Sequence, residues 1–95
     1  MNSTKENIKR QEKIKRFLIE DGIDVRRTNF NYLMYAISIY KPGMKFVDIT
    51  KAACEHFVIE PKSFRTTITR ATKQSKTLKD ASAKQYIAFV YTKII

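Results

Sequence analysis

EPKSFRTTITRATKQSK, residues 60–76, is the stretch on which the reading of the fold turns. It carries five basic side chains and four threonines, has a proline at its second position, and holds no acid after Glu60. Its strongly apolar residues are Phe64 and Ile68. As a strand it would set these two on one face with Thr66 and Arg70, which is a poor apolar face. As a helix begun by Pro61, it gathers Phe64, Ile68, Ala71 and Ser75 on one side. Each threonine lowers helix propensity by about a few tenths of a kcal/mol relative to alanine. Packing of Phe64 and Ile68 outweighs that, so the spacing predicts a helix over 61–75.

The neighbouring segments read the same way. Phe46, Ile49, Ala53 and Phe57 recur every three or four residues and predict a helix over 46–57, with Asp48 in its first turn where an acid suits the helix dipole. Phe30, Leu33, Met34 and Ile37 predict another over 26–40, stopped by Pro42-Gly43. Ile14, Phe17 and Leu18, with Ile8 roughly in phase, predict a helix over 3–20. Ser3 and Glu6 have capping-box spacing at its start, and Gly22 follows its end. Ser82 and Gln85 have the same spacing ahead of Tyr86, Ile87, Val90 and Ile94, so residues 82–94 read as a closing helix. The β-branched and aromatic residues there make a strand the competing reading. Two glycines and two prolines in 95 residues disfavour a chain of hairpins. The expected fold is all-α: one domain over residues 1–95, a small bundle of about five helices containing a helix-turn-helix.

Composition narrows the function. Ninety-five residues make one domain with a modest core. Nineteen basic against nine acidic residues give a net charge of +10. That charge favours a polyanionic partner, nucleic acid first and an anionic membrane surface second. No apolar run is long enough to span a bilayer, and the basic N-terminus lacks a secretory apolar core. Cys54 is the single cysteine, in keeping with a reducing compartment, so the cytoplasm is the expected location. Six basic residues between Lys5 and Arg16 face two acids. They read as a solvated helix face, or else as an accessory phosphate-binding arm.

Helix 46–57, a three-residue connection and helix 61–75 have the layout of a helix-turn-helix. Ala53 and Cys54 are small enough for the second helix to cross closely, and Phe57, Ile59 and Phe64 would fill the corner. Val58 stands where such turns often have glycine. With Phe64, Ile68 and Ala71 inward, Lys62, Thr66, Thr69 and Lys73 point outward, flanked by Ser63, Arg65 and Arg70. A helix of this kind fits a major groove. Lys62, Ser63, Arg65, Thr66 and Thr69 are then the candidates for base contacts, with Arg65 suited to a bidentate bond to guanine. Arg70, Lys73 and Lys76 are the candidates for phosphate contacts. The plainer reading is a basic solvated face beside an ordinary helical hairpin.

Catalysis finds no support. Cys54 and His56 lie two apart on one helix and face different ways. No second cysteine or histidine is present to build an N/S metal site, and no glycine-rich phosphate loop exists. Neither a cofactor nor an enzymatic activity is expected.

Three blocks resemble a known family. FLIEDGIDVRRTNFNYLMYAI, residues 17–37, ITKAACEHFVIEPKSFRTTITRA, residues 49–71, and YIAFVYTKI, residues 86–94, follow one another as they do in the C-terminal DNA-binding effector domain of the master response regulator of sporulation initiation. Phe57, Phe64, Ile68 and Ala71 sit as that family's helix-turn-helix core residues do. The resemblance implies an all-helical fold, residues 61–75 as recognition helix, and sequence-specific promoter binding, often as tandem dimers. It allows a homodimer on DNA. The family carries arginines and a glutamate where this chain has Ser63, Arg65, Thr66 and Thr69; Arg70 alone, at a position the family fills with histidine, keeps similar chemistry. Base preference should therefore differ. The connections around 38–48 and 74–82 are shorter than the family's, and no phosphoacceptor receiver domain precedes the helices. The expected function is sequence-specific binding of double-stranded DNA by a stand-alone transcriptional regulator. The alternative is a protein–protein interaction module that keeps the fold without base readout; non-specific nucleic-acid or RNA binding is a third reading.

Overall fold

The computed structural model describes residues 2–78 and 80–94, with side chains from Ile8 onward. Five helices follow one another: α1 (Asn2–Glu20), α2 (Thr28–Ile39), α3 (Phe46–Phe57), α4 (Pro61–Thr72) and α5 (Ala83–Ile94). Among the described residues there is no strand. The Ser3–Glu6 capping box lies outside the described side chains. At α5 the capping box forms: the Ser82 N–H donates to Gln85 Oε1 at 2.9 Å and the Gln85 N–H to Ser82 Oγ at 3.2 Å. These bonds satisfy two N–H groups that a helix start leaves without partners, which favours helix over strand here.

The most apolar helix, α2, is the centre of the bundle. Its Phe30, Leu33, Ala36 and Ile37 are buried, and it packs on all four other helices. α1 and α5 pack on each other; α4 packs on α2, α3 and α5. The core gathers Ile14 and Leu18 of α1, Ile49 and Ala53 of α3, Phe64, Ile68 and Ala71 of α4, and Tyr86, Ile87 and Val90 of α5. Ile8 departs from expectation. It lies 51% exposed, turned away from the stripe formed by Ile14 and Leu18.

Two helices are shorter than their periodicity suggests. α2 starts at Thr28 because Asp24 holds the preceding turn, accepting the Arg26 N–H at 3.0 Å and pairing with Arg26 and Arg27. α4 ends at Thr72, not at 75, and the chain then turns at Lys73 and Gln74. There Thr72 Oγ1 donates back to the Ile68 carbonyl at 2.9 Å, and Ser75 is drawn into a buried polar cluster instead of a further helical turn.

That cluster centres on Asp21, which is 4% exposed. Ser75 and Tyr86 donate their hydroxyls to Asp21 Oδ2, the Tyr86 bond being 2.6 Å. Thr77 donates its hydroxyl at 2.6 Å and its N–H at 3.1 Å to Oδ1. The Lys76 N–H reaches the Asp21 carbonyl at 3.0 Å, and the Asp24 N–H reaches Gln74 Oε1, also at 3.0 Å. Together these bonds join the α1–α2 loop to the chain that leaves α4.

Candidate nucleic-acid interface

α4 is amphipathic in the strict sense. Phe64, Ile68, Ala71 and Thr72 are buried, whereas Lys62, Ser63, Arg65, Thr66, Thr69 and Arg70 are exposed. The helix begins as its sequence dictates. Glu60 is extended (φ −79°, ψ 147°), and Pro61 occupies a first-turn position whose missing N–H costs nothing. Val58 provides the turn. Its backbone is left-handed (φ 55°, ψ 58°), and its side chain is 88% exposed. The Ile59 N–H then closes on the Cys54 carbonyl at 3.2 Å. A residue usually favoured as glycine is here β-branched.

Behind the turn lies an aromatic wall. The Tyr32 ring lies 4.6 Å from Phe57 and 5.9 Å from Phe64, and Phe46 lies 6.5 Å from Phe64. Phe57 and Ile59, on either side of the turn, are half-buried and pack against the core. The outward side chains of α4 are thus anchored from behind by a fully buried Phe64 and Ile68.

Residues 62, 65, 66, 69, 70 and 73 share the outward side of α4 and its first residue beyond. Among the described residues, none of these side chains is engaged in an ion pair. Helix α4 itself contains no acid. Lys73 and Lys76 are exposed but lie past the helix end. Lys76 is placed by the Asp21 cluster, and a Cβ on Gly22 would come within 3.3 Å of Lys76 Cε. All eight candidate residues are exposed; seven follow one another along α4 and at Lys73, and Lys76 lies on the following loop beside Gly22.

Beside this strip runs an open groove of about 510 Å³ between α3 and α4, lined by Phe46, Val47, Cys54, Pro61 and Arg65 among others. Cys54 faces this groove. His56 faces elsewhere and stacks on Tyr35 with ring centres 4.2 Å apart. Among the described residues, no group of three His, Cys, Asp or Glu side chains could hold a metal ion, and no helix is long and apolar enough to cross a membrane.

The α1 cations split between two settings. Lys9, Lys13, Lys15 and Arg16 are exposed, whereas Arg10 is half-buried with its guanidinium 5.3 Å from the centre of the Tyr91 ring. Arg10 thus covers the junction of α1 and α5. Sequence reasoning passed over Asp21, whose partners are more than fifty residues away. Its only local signal is an acid set beside a helix-ending glycine.

No family model, curated protein or solved structure matches this chain.

Proposed function

We propose that this chain binds double-stranded DNA sequence-specifically, as a transcriptional regulator that works without a cofactor in the cytoplasm. In this reading α3 and α4 form a helix-turn-helix and α4 enters the major groove. One observation carries it: the acid-free outer face of α4, where Lys62, Arg65, Thr66, Thr69 and Arg70 are exposed and the opposite face is fully buried. A rigid helix with free donors on one side suits the edges of bases in a major groove. Arg65 and the residues around it read bases; Arg70, Lys73 and Lys76 hold phosphates. The resemblance to the sporulation-initiation effector domains belongs to the same proposal, with a different base preference because Ser63, Arg65, Thr66 and Thr69 replace the family's readers.

Selection of bound sequences from a random duplex pool tests it. A converged site is expected. Replacing Arg65 with alanine should then cost about 1–3 kcal/mol on that site and far less on random duplex, while replacing Lys73 should weaken both about equally. If no sequence is enriched and neither substitution changes binding, α4 is not a reading helix.

One feature favours a second reading, that of a protein-interaction module. The groove between α3 and α4 is largely apolar, and Val47 beside it is 66% exposed. This reading predicts no duplex affinity at physiological salt and a stable complex with a protein partner.

A further inference from the structure

We propose that the outer face of α1 is a self-pairing surface, on which a second copy of this chain docks antiparallel about a two-fold axis. The inference stands apart from the DNA-binding reading and rests on one stripe. Ile8, Glu12, Lys15 and Ile19 follow one another at intervals of four, three and four residues, so they line a single side of the helix. That side lies about 110° round the helix from Ile14 and Leu18, which are fully buried. Ile8 and Ile19 are 51% and 47% exposed although both are large and apolar, and Glu12 and Lys15 are exposed between them. Among the described residues, neither Glu12 nor Lys15 has an ion-pair partner within the chain.

The order of the stripe is what selects the partner. Reversed end to end, apolar–acid–base–apolar becomes apolar–base–acid–apolar. An antiparallel copy therefore sets Ile8 level with the partner's Ile19 and Glu12 level with the partner's Lys15, and the two-fold axis repeats both pairings. A two-fold contact must be complementary to itself, and this pattern meets that condition in apolar placement and in charge. A parallel copy would set Glu12 on Glu12 and Lys15 on Lys15. The stripe spans three helical turns in eleven residues, close to the natural period, so two nearly straight helices keep it in register. Four residues a side fall well short of the roughly 1,200 Å² of a stable interface, so the pair is weak and forms only at high protein concentration.

Charge reversal isolates the claim, because Glu12 and Lys15 are exposed and contribute little to the monomer. Sedimentation equilibrium of the full chain up to about 1 mM should show a monomer–dimer equilibrium. Glu12→Lys or Lys15→Glu alone puts like charges together twice and should raise the dissociation constant roughly tenfold. Mixing these two variants should restore dimers as heterodimers, and so should the double reversal in one chain. Circular dichroism should show unchanged helix content throughout. A wild-type chain that stays monomeric at 1 mM overturns the proposal, and so does a dimer indifferent to both reversals. A monomer in which Lys15→Glu instead weakens duplex DNA binding makes α1 a phosphate-binding arm, and overturns it too.

Discussion

Asp21 lies one position beyond a helix rich in exposed charge, yet its carboxylate is enclosed by Ser75, Thr77 and Tyr86. Burial pushes its pKa up; the bonds from Ser75, Thr77 and Tyr86 outweigh this and hold the carboxyl below its ordinary value. The Tyr86 phenol moves the other way, raised by burial and by the neighbouring carboxylate, so it stays a donor at any ordinary pH. Because the folded state lowers the Asp21 pKa, its contribution is complete above the unfolded value of about 4 and is lost as pH falls through the folded value. Asp21→Asn should cost about 2–3 kcal/mol at pH 7, since bonds to a charged acceptor are the strong ones. Tyr86→Phe should cost less, about 1–2 kcal/mol, because Ser75 and Thr77 still satisfy the carboxylate. Urea unfolding from pH 7 down to pH 2 checks both magnitudes and sign. The gap between wild type and Asp21→Asn should narrow below about pH 4; a gap that stays constant would show that the charge is not what the cluster holds.

At the scale of elements, α3 and α4 were legible because each repeats one apolar face, and α4 announces its start with Pro61. The end of α4 was not. Its periodicity continues to Ser75, but Ser75 bonds to a carboxylate that lies 54 positions away, and no local pattern encodes that. Ile8 misled for a simpler reason: it lies about 80° round the helix from Leu18, outside the buried stripe, and remains half exposed. The candidate interface was legible as a pattern of residue types, since a buried Phe64 and Ile68 force Lys62, Arg65 and Thr69 outward. The position of Lys76 was not, because the Asp21 cluster sets it. The missing turn glycine was also visible, though not its consequence. Val58 takes the left-handed conformation itself (φ 55°), at a cost of about 1–2 kcal/mol for a residue with a Cβ. Its side chain is almost fully exposed, so little packing offsets that. Val58→Gly should therefore stabilise the fold by about 0.5–1 kcal/mol, after the added freedom of the unfolded chain is subtracted. For a domain of this size that raises the melting temperature by about 2–8 °C. A lower melting temperature for Val58→Gly would mean that Val58 packs in a way its exposure conceals.

For the whole molecule, the net charge of +10 matters less than where it sits. α4 packs on α2, α3 and α5, whereas α1 packs on α2 and α5, so the two basic helices occupy different parts of the bundle. General attraction of a basic protein to DNA would use both. A docked α4 would use Arg70, Lys73 and Lys76; Lys9 and Lys13 belong to α1, which packs on α2 and α5, and charges farther than about 8–10 Å from the duplex are largely screened at physiological ionic strength. Each phosphate neutralised adds about 0.9 to the slope of log affinity against log salt. Three contacts thus predict a slope near −3, and Lys73→Ala should reduce its magnitude by about 1. Reversing Lys9 and Lys13 to glutamate should leave the slope unchanged and lower the affinity only modestly. Fluorescence anisotropy of a labelled duplex across a salt series measures all three slopes. If the α1 reversals flatten the slope as much as Lys73→Ala does, the DNA is held by diffuse charge, and α4 loses its assigned place in the groove.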